Sequence, residues 1–324
     1  MKAFGILLIL LFSISSRAEQ VLVIESYHEQ YEWDKSYLQG LRSEVADKAD
    51  IVTFEMNTKR LPREQYPLMA EKAFATYQQL QPKIVVLGDD NALNYMLPKL
   101  YNEPISLIFL GININPRKLL ATYHGKAQVT GVLELPLFVK NIGEIKRIIG
   151  KRNLKVWILF DSGVTSEIAA SYIDSQYQLM KKSLAVDVKI HLIGDFQAWQ
   201  RTVDSAQSEG VDAIIVGLYQ TLTDVTTGRN TPSEEVLTWT NQHTRVPLYG
   251  FWDFSVGKGK TSGGVVLFGD AQGKQAGQII NQILLGTPAS AIPIQIGNQG
   301  RALFSESEMK RWGLQAPSHA EWVE

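Results

Sequence analysis

The residues of this chain that could do chemistry gather at the ends of apolar runs. SYHEQYEWD, Ser26 to Asp34, follows VLVIE directly and sets two tyrosines, a histidine, a tryptophan and three acids where a tight turn needs only Gly, Asn or Asp. Similar junctions carry Asp89 and Asn91 in GDDN, and Asn113 in GIN. Further on come Asp161, Ser162, Thr165 and Ser166 in DSGVTS, Tyr219 in GLYQT, and Trp252 and Asp253 in FWDF. Tyr27, Tyr31, Trp33 and Trp252 offer faces on which an aromatic amino acid, or equally the apolar face of a sugar, can pack. Asp89, Asn91, Asn113 and Asp253 can fix polar groups, and either aspartate suits an amine. Ser162, Thr165 and Ser166 precede a helical pattern, whose amino end would favour a carboxylate. Each of Asp89, Asn91, Ser162 and Ser166 is also a helix-capping residue type, a role compatible with ligand contact.

Catalytic patterns fail by composition or spacing. HEQYE, His28 to Glu32, opens like a zinc-protease motif, but Glu32 stands where the second histidine belongs. Gly259-Lys260-Thr261 resembles the end of a phosphate loop whose first glycine would fall at Phe254. The five histidines are scattered, no GxSxG elbow occurs, and Asp89-Asp90 is an adjacent pair rather than two converging carboxylates. The expectation is a binding protein with no catalytic residue, metal or cofactor.

The elements that must position these residues are short and continuous apolar blocks: 21–26, 51–56, 83–88, 105–112, 154–160, 188–194, 212–218 and 246–251. Runs of this kind, rich in β-branched residues, are what parallel strands buried on both faces look like. Amphipathic stretches separate them. Asp34 is expected as the N-cap of the first, with Tyr37, Leu38 and Leu41 on its buried face. Strand–helix alternation occurs twice, so the chain reads as α/β, two doubly wound lobes joined by several crossings. The expected partition is 19–130 plus 262–288 for the first lobe and 131–261 plus 289–324 for the second. In such a fold the carboxyl ends of both sets of strands face one cleft, where all the residues above would meet.

Met1–Ala18 combines a basic start, the apolar run AFGILLILLFSI and the ending Ser16-Arg17-Ala18, the pattern of a cleaved export signal. The expected location is the periplasm, and the expected state a soluble monomer. The sequence has no cysteine, so neither disulfides nor thiol chemistry contribute. Two of the 32 basic residues lie in the leader, which leaves 30 against 33 acidic ones and a net charge of −3. That balance, without any Lys/Arg stripe, argues against a nucleic-acid partner.

VLVIESYHEQYEWDKSYLQGL, PKIVVLGDDNAL and GKQAGQIINQILLGTPASAIP together resemble the substrate-binding family of ABC transporters related to tryptophan- and tyrosine-binding proteins. The opening SYH…Y.W and the ending FSESEMKRWGL are similar to a branch that serves as the extracytoplasmic sensor of histidine kinases and cyclases. The resemblance implies the type I periplasmic-binding fold and a small molecule, with an amino acid preferred, held between the lobes. It implies an ABC permease or a separate membrane sensor as the partner.

Overall fold

The computed structural model describes residues 19–297 and 300–324. The expected export signal lies outside the described residues. In chain order the elements are β1 (Glu19–Glu25), α1 (Glu32–Val45), β2 (Ala49–Glu55), α2 (Tyr66–Leu80), β3 (Ile84–Gly88), α3 (Asp89–Leu100), β4 (Ser106–Ile112), α4 (Arg117–Thr122) and β5 (Gln128–Glu134). The second half begins with α5 (Phe138–Ile149), β6 (Leu154–Asp161), α6 (Val164–Leu184), β7 (Val186–Ile193), α7 (Phe196–Ser205), β8 (Ala213–Val216), α8 (Ser233–His243) and β9 (Leu248–Gly250). It ends with β10 (Gly263–Leu267), α9 (Gly269–Leu284), β11 (Gln295–Gly297), β12 (Gly300–Ser305), α10 (Glu306–Arg311) and β13 (Glu321–Val323).

The strands form two parallel sheets and one mixed sheet. The first runs β11-β5-β4-β3-β1-β2 and the second β7-β6-β8-β9. The third is β10-β12-β13, with β10 antiparallel to β12. The continuous apolar runs have a direct cause in this arrangement. Along β1, Val21 and Val23 enter one core while Leu22 and Ile24 enter the core on the opposite face. Along β6, Val156, Ile158 and Phe160 alternate in the same way with Trp157 and Leu159. A strand covered on both faces has no polar side to display.

The crossings between lobes differ in place from the expected partition. β5 belongs wholly to the first sheet, so the chain leaves that lobe at 135–137 rather than at 131. Gly263–Leu267 pairs with β12 instead of entering the first lobe at 262. β11 pairs with β5, so the tail is still in the first lobe beyond residue 289. Short strands at lobe junctions carry too little apolar signal to reveal which sheet they join.

Two helices fix the front of the cleft. α1 and α9 pack through Gly269, Gly273 and Gly277, one turn apart on α9; a Cβ on Gly273 would overlap the carbonyl oxygen of Tyr37. One on Gly269 would press on the Trp33 carbonyl at 2.7 Å. This close approach holds the first turn of α1, and Trp33 with it. Asp34 is not the N-cap: α1 starts at Glu32 behind Tyr31, whose side chain makes no capping bond, and Asp34 is fully buried inside the first turn. Among the described residues no helix is long and apolar enough to cross a membrane.

Candidate functional site

Between the carboxyl ends of the first and second sheets lies a tight cavity with room for little more than one water molecule. Its first-lobe wall is Tyr27, Tyr31, Trp33, Asp89, Asn113 and Glu134; Thr165, Leu218, Trp252 and Phe254 close it from the second lobe. Tyr27 follows β1, Asp89 opens α3 after β3, Asn113 follows β4 and Glu134 ends β5. Four neighbouring strand ends thus deliver four side chains to one place, as the parallel fold requires.

Asp89 is held in an unusual backbone state. Its φ of +73° lies in the left-handed region, which costs a branched polar residue on the order of 1 kcal/mol or more. Its Oδ1 accepts from Tyr27 Oη at 2.8 Å and from the Asp90 N–H at 3.1 Å. Tyr27 Oη is also 3.0 Å from Thr165 Oγ1, which ties the first lobe to the amino end of α6 in the second. Two further bonds span the cleft: Trp252 Nε1 donates to Glu134 Oε1 at 2.7 Å, and Asn230 Nδ2 donates to the Lys59 carbonyl at 2.8 Å. The aromatic rings join in the same way. Tyr31 lies 6.0 Å from Phe254 across the cleft, and Phe254 stacks with Trp252 at 6.3 Å.

Burial dominates the electrostatics. It pushes Asp89 up to about 6, against the opposing effects of the Tyr27 bond and the Lys59 ammonium. Asp90 rises to about 7 through burial and the charge of Asp89 beside it. Glu134 is held well above the ordinary range by burial and again by Asp89. Behind this wall, Glu25 reaches about 8 through burial and then the nearby Glu55. Asp34 is raised by burial and by Glu25. One ammonium, that of Lys59, stands over the Tyr27 ring at 4.7 Å and the Tyr31 ring at 5.5 Å.

Of the thirteen residues singled out in the sequence, Tyr27, Tyr31, Trp33, Asp89, Asn113, Thr165 and Trp252 line the cavity. The other six do not, and each has another engagement or position. Asn91 donates from Nδ2 to Thr58 Oγ1 at 2.9 Å and anchors the loop after β2. Asp161 accepts from Gly163 N–H at 3.0 Å, Ser166 Oγ at 2.6 Å and Thr221 N–H at 2.9 Å, so both Asp161 and Ser166 are spent on the loops of their own lobe. Ser162 is exposed. Tyr219 is buried in the second lobe's core, near Tyr31 and Glu32 of the first lobe, but does not line the cavity. Asp253 pairs with Arg301 at 3.0 Å, in the opposite direction from Trp252. Glu134, Leu218 and Phe254 line the cleft and were not among the thirteen. An acid ending an otherwise apolar strand block was the available signal for Glu134; Phe254 stood in the FWDF junction beside the residues chosen. Among the described residues no group of three or more His, Cys, Asp or Glu side chains could hold a metal ion.

No protein-family model matches the chain, and no curated protein matches its sequence. Solved structures do. An ABC domain from Streptococcus pneumoniae in complex with L-Trp aligns at 16% identity with a TM-score of 0.67, covering 95% of this chain and 100% of the other. A ligand-free, open substrate-binding protein with adhesive properties from Clostridium difficile aligns at 13% and 0.62, covering 95% and 99%. An ABC-transporter solute-binding protein from Agrobacterium vitis with bound allitol aligns at 12% and 0.58, covering 86% and 92%. The fold is the two-lobed α/β fold of type I periplasmic binding proteins.

Proposed function

We propose that this chain is an extracytoplasmic solute-binding protein that closes its two lobes over a small amine-bearing molecule and delivers it to an ABC permease. The observation that carries this reading is the join at Asp89. A buried carboxylate, strained in backbone and oriented by Tyr27, stands where the first lobe meets Thr165 of the second. Around it five aromatic rings form walls on which an apolar ligand body can pack. An amino acid supplies both parts, and the L-Trp complex of the pneumococcal relative of this fold supports that class among amines. Binding and release, rather than turnover, is the activity we assign to these groups. Hinge closure of this kind buries the ligand and changes the surface shown to a membrane partner.

The test is a thermal-shift panel of amino acids, amines and polyols on the purified chain, followed by calorimetry on the hits. A rise in Tm with an amine-bearing compound, lost in Asp89→Asn, is expected. A response confined to polyols would overturn the reading.

A further inference from the structure

The cavity has a second carboxylate whose presence a zwitterionic ligand does not explain. Glu134 is 2% exposed and spends Oε1 on Trp252 of the opposite lobe. The other oxygen, Oε2, converges with Asp89 Oδ2 and Trp33 Nε1 on a single place above Gly111. A Cβ built there would lie 3.5, 3.6 and 3.3 Å from these three atoms. These distances bring the three groups together over the Gly111 backbone, whose φ of +68° favours glycine. Asn113 contributes to the same cavity, where its Oδ1 is buried without a hydrogen-bond partner, while Trp33 Nε1 faces the Asp89 carboxylate. An unpartnered buried carbonyl oxygen in a cleft lining can accept from the N–H of a ligand.

We propose that the cleft selects an amine of net positive charge, one without a carboxylate, and that Glu134 is the residue that makes the selection. This rests on the amine reading above and narrows its substrate class. Asp89 alone would serve the ammonium of an amino acid; Glu134, ionised beside a bound cation, adds a second carboxylate that would repel an amino acid's own. Nor does the lining provide for the amino acid's carboxylate. No Lys, Arg or His is among the lining residues. The first turn of α6, the natural anion site, has no side-chain cap, but the Asp161 carboxylate stands beside it, on the Gly163 N–H and the Ser166 hydroxyl, where it would repel a ligand carboxylate. Thr165 Oγ1 is engaged with Tyr27.

Binding of a cation should also expel protons. Asp89 faces Tyr27 from β1, Lys59 from the loop after β2, Asp90 on its own helix, Asp34 on α1 and Glu134 on β5; Glu134 faces Asp89, Asp90, Lys59 and Trp252. Burial raises Asp89 and Glu134 against the single ammonium of Lys59, so each keeps its proton to higher pH than an ordinary carboxyl does. A bound ammonium favours their charged forms, so affinity rises with pH while the amine, of pKa about 10, stays charged.

Matched pairs test this: tryptamine against tryptophan, tyramine against tyrosine, and phenethylamine against phenylalanine, by calorimetry in two buffers of different ionisation enthalpy. At least one amine is expected to bind about tenfold or more tighter than its amino acid, with proton release that grows as pH falls from 8 to 6. Glu134→Gln, which keeps an acceptor for Trp252, should bring that pair to within about threefold and reduce the proton release. A wild-type protein that binds the amino acids as tightly as the amines, or a ratio that Glu134→Gln leaves unchanged, overturns the selection while sparing the amine reading. Silence from every pair, with a polyol binding instead, overturns both.

Discussion

The two walls of the cleft are built from the same kind of junction, the carboxyl end of a parallel strand running into a helix, yet they use their polar residues in opposite ways. On the first-lobe wall, Asp89, Asn113 and Glu134 turn toward the cavity, with burial raising both acids. On the second, Asp161 and Ser166 turn inward to tie their own loops, and Leu218, Trp252 and Phe254 face the cavity beside Thr165. The difference divides the work. The first lobe holds charge ready for a ligand at a cost in its own stability, while the second is internally satisfied and supplies a mostly apolar cover. Recognition should therefore be concentrated in the first lobe, and closure should add desolvation rather than new polar contacts.

The largest expected contrast is between two aspartates in equivalent places. Asp89→Asn should weaken amine binding about 100-fold, or ~3 kcal/mol, because it removes the oriented charge from a buried site. Its melting temperature should hold or rise, since an acid raised by burial is replaced by a neutral isostere. Asp161→Asn should do the reverse. An amide cannot accept from Gly163, Ser166 and Thr221 at once, so a buried donor is left unpaired at a cost of ~1–3 kcal/mol in stability. Its effect on affinity should stay within about threefold. Denaturation and calorimetry on the two variants decide the matter, and a stability loss from Asp89→Asn matched by an affinity loss from Asp161→Asn would erase the contrast.

A second contrast lies in pH. Glu25, Asp90 and Asp89 have folded values of about 8, 7 and 6, above the roughly 4 of an unfolded chain. Raised acids contribute stability that is fully present below about 4 and lost as pH rises through 6 to 8. The ligand-free protein should thus lose several degrees of Tm between pH 5 and 8, while its affinity for an amine increases over the same range. Glu25→Gln should flatten the Tm profile and leave the affinity trend in place, because Glu25 lies behind the wall rather than in it. An unflattened profile would mean that the buried acids do not carry this cost.

How much of this division could be read from the residues alone follows from what kind of signal each feature leaves. The core strands were legible because burial on both faces demands continuous apolar runs, as in Val21–Ile24 and Ile84–Leu87. The strand-end rule then placed Tyr27, Asp89 and Thr165 in one cleft before any coordinates. Direction was not legible. DSGVTS contains four polar candidates, and only the path of the loop decides that Thr165 reaches the cavity while Asp161 and Ser166 bond each other. The start of α1 was misjudged at Asp34 because α1 begins without a side-chain cap at all. Glu134 was hidden because the expected partition puts residues beyond 130 in the second lobe, and its meaning appears only when β5 is seen as a member of the first sheet. The glycines at 269, 273 and 277 did carry a readable spacing, four residues apart, that marks a close helix–helix contact.

The aromatic residues allow a finer cut between the walls. Trp33 contributes a ring and a buried N–H beside the Asp89 carboxylate, whereas Phe254 contributes a ring alone. Trp33→Phe should cost about tenfold in affinity, since the donor is lost along with part of the ring. Phe254→Leu should cost about threefold, the loss of aromatic contact with Tyr31 and Trp252 without loss of cover. Equal losses would show that the second lobe recognises the ligand as specifically as the first.

The smallest effect is expected at Asp253, and it tests the division where sequence proximity is most deceptive. Asp253 adjoins Trp252, which lines the cavity, but a single turn of 3₁₀ helix from Asp253 to Ser255 carries its carboxylate away to Arg301. Arg301 has other company: Glu321 at 3.6 Å and the ring of Phe268 at 4.7 Å. Both members of the Asp253–Arg301 pair are partly solvent-exposed, where such pairs contribute ~0–1 kcal/mol. Asp253→Asn should therefore leave amine affinity within about twofold and stability within ~1 kcal/mol. An aspartate one residue from a cleft tryptophan that mattered for binding as Asp89 does would mean that the second lobe turns a charge toward the ligand after all, and that the closed arrangement hides a polar contact made only when the lobes rearrange around it.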